Sequence, residues 1–281
     1  MDQFRRRQVF GSDGYPVAGA VLLLEGPVAE HTHDFLELAV LISGTVEYRT
    51  SASSWPLEPG AVAVVRPGEW HGFADPREAV IGNLYLGEEL LHGEFRWLLE
   101  FDDLARFLLR GGLAAGRLDA GARERARTRL AELSGNLATP GSADSILATS
   151  SAYAVLSELG RIRLDQGRRP GLSQPVRQMM LLLSQRPAEP WTMAILADEI
   201  GHSVSHLHRA FRSQLGMTPM AWLARTRAEL AASLLLRTDE PVGRIGRQVG
   251  WPDPNYFSRC FGRAYGMSPT AYRTQNLTAA G

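Results

Sequence analysis

The stretch FRSQLGMTPMAWLAR, residues 211–225, is answered by FGRAYGMSPTAYR, residues 261–273. The phenylalanine, the Gly-Met pair and the Ser/Thr-Pro step all keep one offset of 50, which marks two copies of a single unit. Upstream of each, ILADEIGHSVSHLHRAF pairs with RIGRQVGWPDPNYFSRCF, the second copy carrying an extra residue in its turn. Each copy reads as a short apolar-periodic helix, a glycine, a polar cap and a second amphipathic helix ending in Phe, so the unit is a helix-turn-helix.

The caps support this residue by residue. Ser203 can cap the helix that holds Leu207 and Phe211, and Asp253 can cap one that starts on Pro254, where the missing N–H costs nothing. Thr218-Pro219 and Ser268-Pro269 repeat the device. Leu207 and Phe211 lie four apart, as do Phe257 and Phe261, and both pairs should face the core. Ser205, His206, His208 and Arg209 in the first copy, and Asn255, Ser258 and Arg259 in the second, should then point outward. Between the copies, TPMAWLARTRAELAASLLLRTD reads as one helix with Leu223, Leu230 and Leu234 on a common face. About 18 residues at about 1.5 Å each give about 27 Å, enough to hold two small units near one turn of duplex, about 34 Å.

Charge agrees. The chain of 281 residues has no net charge, yet residues 174–281 hold 12 Arg against 7 acids while residues 1–173 hold 18 Arg against 23 acids. The halves are therefore about +5 and −5, and the basic half suits an anionic partner. Every basic side chain is Arg. The single Cys260 cannot pair within the chain. The only early apolar run, Val17 to Leu24, is too short for a membrane span and unlike a signal peptide, so a cytoplasmic location with no membrane partner is expected.

On Leu196-Ala197, Ser203, Leu207, Arg209 and Phe211 in the first unit, and Ile245, Val249-Gly250-Trp251, Asp253, Tyr256-Phe257-Ser258-Arg259, Phe261, Gly266, Ser268-Pro269 and Tyr272-Arg273 in the second, the last hundred residues resemble the DNA-binding domain of the AraC/XylS family of transcription regulators. The resemblance implies that Ser205, His208 and Arg209 take the base-contacting places of the first unit, with His206 and Arg212 beside them. Pro254, Asn255, Ser258 and Arg259 stand where the second meets DNA. Two departures stand out: Gly246 replaces the usual Ala inside a helix, at a cost of about 1 kcal/mol, and Gly262 replaces a usual basic residue. Pro254 brings neither N–H nor polar side-chain atom, so the second unit is expected to supply phosphate contacts more than base reading.

The first half is organised differently. Residues 17–86 hold short apolar runs broken by EGP, SG, EPG and RPG, the spacing of an antiparallel sheet or barrel. Within EHTHDFLELAVL, alternate positions share a strand face, so His31, His33, Phe35 and Glu37 point one way. A later block, PLEPGAVAVVRPGEWHGF, supplies His71. Three imidazoles and a carboxylate form a sensible ligand set for Zn, Ni, Fe or Mn. The pattern is similar to the two cupin motifs, the second loosely. Three readings stay open: one divalent metal ion on His31, His33, Glu37 and His71; polar contacts to an effector in a metal-free pocket; or packed strand residues. Trp70, with Tyr48 or Trp55 at a rim, would add aromatic cover suited to a sugar or polyol.

From Gly87 onward helical spacing takes over, and the resemblance implies that helices after the barrel carry homodimerisation. The expected fold is therefore α+β: a cupin-like effector-binding barrel over 1–86, a helical dimerisation and linker region over 87–165, an interdomain linker over 166–175, and a double helix-turn-helix domain over 176–276. The expected function is a ligand-responsive, sequence-specific DNA-binding regulator, not an enzyme. Its partners would be operator DNA, a small-molecule effector, a second copy and, if it is an activator as family resemblance favours, RNA polymerase. The alternative is a metal-dependent cupin enzyme fused to a DNA-binding domain.

Overall fold

A computed structural model describes residues 2–4, 6–11, 15–87, 90, 95, 101–114, 116–134, 140–162 and 172–277. The greater part of the expected interdomain linker, 166–171, lies outside the described residues. The described elements begin β1 (Asp2–Phe4), α1 (Arg6–Phe10), β2 (Val17–Leu23), β3 (Val28–His33), β4 (Leu36–Thr50), β5 (Ser54–Leu57), β6 (Val62–Val65), β7 (His71–Leu86), α2 (Asp102–Arg110) and β8 (Gly112–Leu113). Helices follow: α3 (Ala120–Leu133), α4 (Ala143–Gly160), α5 (Gln174–Gln185), α6 (Met193–Ile200), α7 (Val204–Leu215), α8 (Pro219–Arg237), α9 (Val242–Gln248), α10 (Pro254–Tyr265) and α11 (Pro269–Leu277). The chain divides into two compact units, Met1–Gly87 with Gly111–Arg169, and Glu88–Arg110 with Pro170–Gly281. No helix among the described residues is long and apolar enough to cross a membrane.

The first unit is built on the two long strands β4 and β7, paired antiparallel from Leu36↔Leu86 to Thr50↔His71. β2 and β3 also run antiparallel to β7, and β5 and β6 to β4. Only β1, beside β3, is parallel among the described strands. β4 is buried on both faces: Leu36, Leu38 and Val40 are fully buried on one, while Ala39 and Leu41 pack on the other with Val46, Tyr48, Ala63, Val65, Phe73 and Ile81. That explains why its sequence reads as a continuous apolar run rather than as an alternation.

Helices α3 and α4 cover the first unit's sheet, α3 lying against β2, β4 and β7. α3 begins at Asp119, whose side chain accepts from the Ala122 N–H, and α4 at Ser142, which accepts from Ser145 N–H. Arg125 donates to both Glu158 oxygens at 2.8 Å, tying the two helices together. Along α4, Val155, Leu156 and Leu159 are buried, whereas Ile146 is 73% and Leu147 42% exposed.

The second unit has two separate cores that share α8. The first gathers Val176, Met179, Leu183, Trp191, Leu196, Leu207, Phe211, Trp222 and Leu223, together with Ala105 and Leu109 from α2. Ala105 and Leu109 of α2 thus enter a core whose other members come from residue 172 onward. The second core gathers Ala228, Ala231, Leu235, Ile245, Val249, Trp251, Phe257, Phe261, Tyr265 and Tyr272. The expected leucine stripe of α8 therefore splits: Leu223 serves the first core, while Leu230 and Leu234 pack half-buried at the second. Ser203, Thr218 and Asp253 all accept from the backbone N–H three residues on, as capping residues do.

Gly246, expected to be a small liability, has a reason to be there. A Cβ at this position would lie 2.7 Å from Phe257 Cδ1 and 3.0 Å from the Trp251 carbonyl oxygen. The glycine lets α9 close directly onto α10.

Candidate effector cavity and nucleic-acid interface

The first unit contains a cavity of about 170 Å³ that opens to solvent. Its polar wall comes from His31 and His33 of β3, Glu37 of β4, and His71, Asn83 and Tyr85 of β7. Val9, Leu22, Leu24, Val28, Phe35, Phe73 and Ile81 make the apolar wall. The strand-face expectation holds for His31, His33, Phe35 and Glu37, which all line this one space although a bend separates β3 from β4. Trp70 is not brought in: it is half-buried and lies outside the lining residues. Tyr48 is buried in the adjoining core and Trp55 is 40% exposed, so neither forms a rim. Asn83, Tyr85, Val9, Leu22 and Leu24 carry no signal in the sequence, because they reach the cavity only through the pairing of β2 and β7 and the placing of α1, which no local pattern reveals.

The histidines crowd one carboxylate. Nδ1 of His31 lies 2.9 Å from the Ala29 carbonyl oxygen and Nδ1 of His33 lies 2.8 Å from that of Phe35. Both nitrogens must donate, because a carbonyl only accepts, and in a neutral ring this leaves Nε2 carrying the lone pair. His33 Nε2 sits 3.0 Å from Glu37 Oε2 and His71 Nε2 sits 3.5 Å from the same oxygen. Neither nitrogen is aligned for a hydrogen bond, and His71 Nδ1 is buried without one as well. A lone pair that close to a carboxylate oxygen calls for positive charge between them, a proton or a metal ion. Burial works against the Glu37 carboxylate, but His33 and His71 outweigh it and hold its pKa below the ordinary range. Burial, and then His71, lower the pKa of His31.

Ligand atoms of His31, Glu37 and His71 all lie within 4.8 Å of one another, with all three residues buried. The set fits a divalent ion, with backbone carbonyls orienting His31 and His33 from behind as outer-shell partners do. His33 stands beside the three, its ring centroid 5.1 Å from that of His71.

On the second unit, the outward face of α7 carries Ser205, His206, Arg209 and Arg212, all exposed, with His208 half-buried. Arg209 Nε donates to the Ser205 carbonyl, and His206 stacks on His202 with centroids 5.2 Å apart. The corresponding face of α10 exposes Pro254, Asn255, Ser258 and Arg259. Tyr256, 48% exposed, joins them and was not among the expected contacts; the Arg259 guanidinium lies 5.9 Å from its ring centroid. Both second helices thus offer polar, cationic faces of the kind that enters a major groove.

Comparison with known proteins agrees with this division. Residues 27–156 match the AraC-like ligand binding domain and residues 196–275 match a helix-turn-helix domain. The HTH-type transcriptional activator RhaR of Klebsiella pneumoniae is 26% identical over 278 residues, 98% of each chain. The activator RhaS of Pectobacterium atrosepticum is 27% identical over 251 residues, 88% of each. Among solved structures, ToxT from Vibrio cholerae is similar over 94% of this chain and 96% of its own, at 13% identity and a TM-score of 0.48. Two matched domains in this order make the chain a member of the AraC/XylS family of transcription regulators.

Proposed function

We propose that this regulator is an effector-gated activator that binds a specific duplex as a homodimer, with the cavity of the first unit as its sensor. The observation that carries the sensor role is the buried polar cluster of His31, His33, Glu37 and His71 in the wall of a cavity whose remaining lining is mainly apolar. Buried polar groups are costly without partners, and two of these imidazoles keep unpartnered nitrogens. An occupant with complementary oxygens would satisfy them. A small hydroxylated molecule such as a sugar fits, its C–H faces lying against Val28, Phe35 and Ile81 and its hydroxyls reaching Asn83, whose Oδ1 also lacks a partner.

His31, Glu37 and His71, with His33 alongside, would hold one divalent ion (Zn, Ni, Fe or Mn). Such an ion supplies a Lewis-acid anchor for a donor oxygen of the effector. The chain's own residues do the rest: carbonyls fix the ring tautomers, and the apolar wall excludes water. A regulator is favoured over a metal-dependent enzyme fused to a DNA-binding domain because both matched domains and the similar chains are those of regulators.

Dimerisation fits α4, where Ile146 and Leu147 are exposed beside Ser150 and Ser157 on a helix whose other face is fully used. The activator role, and with it contact to RNA polymerase, follows the similar chains that bear that description. Gating works by population shift: the effector must prefer the DNA-competent arrangement.

The test combines three readings on full-length protein. Metal analysis after purification without added metal should find about one ion per chain, lost in His71→Ala. A sugar and polyol thermal-shift screen should give at least one stabilising compound, and Glu37→Gln should abolish the shift. Selection from random duplexes should enrich one sequence, whose affinity at fixed salt changes with that compound. No enriched sequence, or an affinity indifferent to every stabilising compound, would overturn the proposal.

A further inference from the structure

The two helix-turn-helix cores are both built on α8 but share no buried core residue among the described residues. Beyond that helix, Arg227 and the close approach of Gly250 to Ala188 join them. Arg227 stands on α8 between Trp222 and Leu223, which serve the first core, and Ala228 and Ala231, which serve the second. Its Nε donates to the Pro187 carbonyl at 2.7 Å and one terminal nitrogen donates to the Glu189 carbonyl at 2.7 Å. Those carbonyls belong to the turn between α5 and α6, in the first helix-turn-helix unit. The turn is itself held firmly: Trp191 Nε1 donates to the Arg186 carbonyl at 2.7 Å, and the Arg186 guanidinium covers the Trp191 ring at 4.9 Å.

From the other side comes the turn of the second unit. Gly250, at φ +91°, approaches so closely that a Cβ there would lie 2.8 Å from an Arg227 terminal nitrogen and 2.9 Å from both Ala188 Cα and its carbonyl oxygen. The next residue, Trp251, stacks on Phe257 of α10 at 5.7 Å. A continuous line of contact therefore runs from the first unit's turn through Arg227 and Gly250 to the second recognition helix.

We propose that Arg227 is a positioning residue that locks the two helix-turn-helix units at one separation and rotation, so that the protein selects the spacing of its two DNA subsites as well as their sequences. The fork of a guanidinium suits the task, since two donors on a planar group fix orientation where one flexible ammonium would not. Burial has lowered its pKa from the ordinary value, as for a cation drawn out of water to reach those carbonyls. The consequence follows from duplex geometry: one inserted base pair moves a subsite by about 3.4 Å and about 35°, a change that a locked pair resists and a loose pair absorbs.

The inference rests on the duplex-binding reading of this unit, and the experiment separates the two. A duplex selected from random sequence by full-length protein is remade with one base pair inserted or removed between its subsites, and affinities are measured at fixed salt. Wild type should lose about tenfold at either altered spacing, a loss comparable to a mismatched base pair. Arg227→Ala should flatten the profile to within about threefold, with unchanged base preference inside each subsite, and Arg227→Lys should fall between. Circular dichroism and thermal melting establish that each variant is folded. Should Arg227→Ala fail to fold, Arg227→Lys and Arg227→Gln carry the test by the same profile. A spacing profile parallel to wild type in folded variants overturns the lock, whereas failure to enrich any duplex would overturn the DNA-binding reading itself.

Discussion

The two helix-turn-helix units descend from one sequence pattern, yet they are completed in different ways. The first buries a helix from far upstream, with Ala105 and Leu109 of α2 entering its core. The second relies on residues from α8 onward and gains closeness instead, with Gly246 letting α9 settle on Phe257. Their outward faces differ too. α7 presents Ser205, His206, Arg209 and Arg212, whereas α10 opens with Pro254 and leans Arg259 over Tyr256. A repeat in sequence fixes where helices start and what they bury; it does not fix what completes each core or what each face can read.

The strongest way to break the contrast is to remove what only the first unit has. Leu109→Ala deletes a buried side chain from the first core, and large-to-small changes of this kind cost about 2–5 kcal/mol. Hydrogen exchange should quicken across α5, α6 and α7 and stay unchanged across α9 and α10. Equal loosening of both would show that the cores are one cooperative block.

A smaller and reciprocal test uses the equivalent positions Ala197 and Gly246. Gly246→Ala forces a methyl against Phe257, and overpacking typically costs about 1–3 kcal/mol. Ala197→Gly, in the half-buried equivalent helix, should cost only the helix-propensity difference, about 1 kcal/mol. Thermal melting orders the pair, and a neutral Gly246→Ala would contradict the close approach.

The DNA faces give the next contrast. Arg209→Ala should relax base preference within the first subsite, with discrimination falling by about 1–3 kcal/mol if its contact is bidentate. Arg259→Ala should weaken binding to all sequences alike and lower the salt slope by about 1. Equal loss of discrimination in both variants would erase the distinction between a reading unit and an anchoring unit. The smallest effect is at the caps. Asp253 accepts from the Tyr256 N–H at 2.6 Å and Ser203 from the His206 N–H at 3.3 Å, so alanine at 253 should melt lower than alanine at 203, each within about 0.5–2 kcal/mol of wild type.

Much of this was legible in the residues. Spacing of Leu207 with Phe211 and of Phe257 with Phe261 placed the cores, and the caps Ser203, Thr218 and Asp253 placed the helix starts, because helical period and capping are local. Alternation through His31, His33 and Glu37 likewise put three polar groups on one face. What stayed hidden was long-range. Nothing near residue 105 says that Ala105 and Leu109 join the core that holds Trp222. Gly246 reads as a defect until Phe257 is seen against it. Trp70 follows a promising Pro-Gly turn, but its side chain lies outside the cavity. Asn83 and Tyr85, seventeen or more residues beyond Arg66, reach the histidines only because β7 pairs with both β2 and β4.

The most direct measurement is a pair of equilibrium titrations of full-length protein at one fixed salt, on the duplex it selects from random sequence and on a scrambled duplex of the same composition. A two-headed reader of DNA should prefer the selected duplex by about a thousandfold or more, and the preference should shrink in Arg209→Ala. Equal affinity for both duplexes would contradict sequence-specific recognition by these two helices.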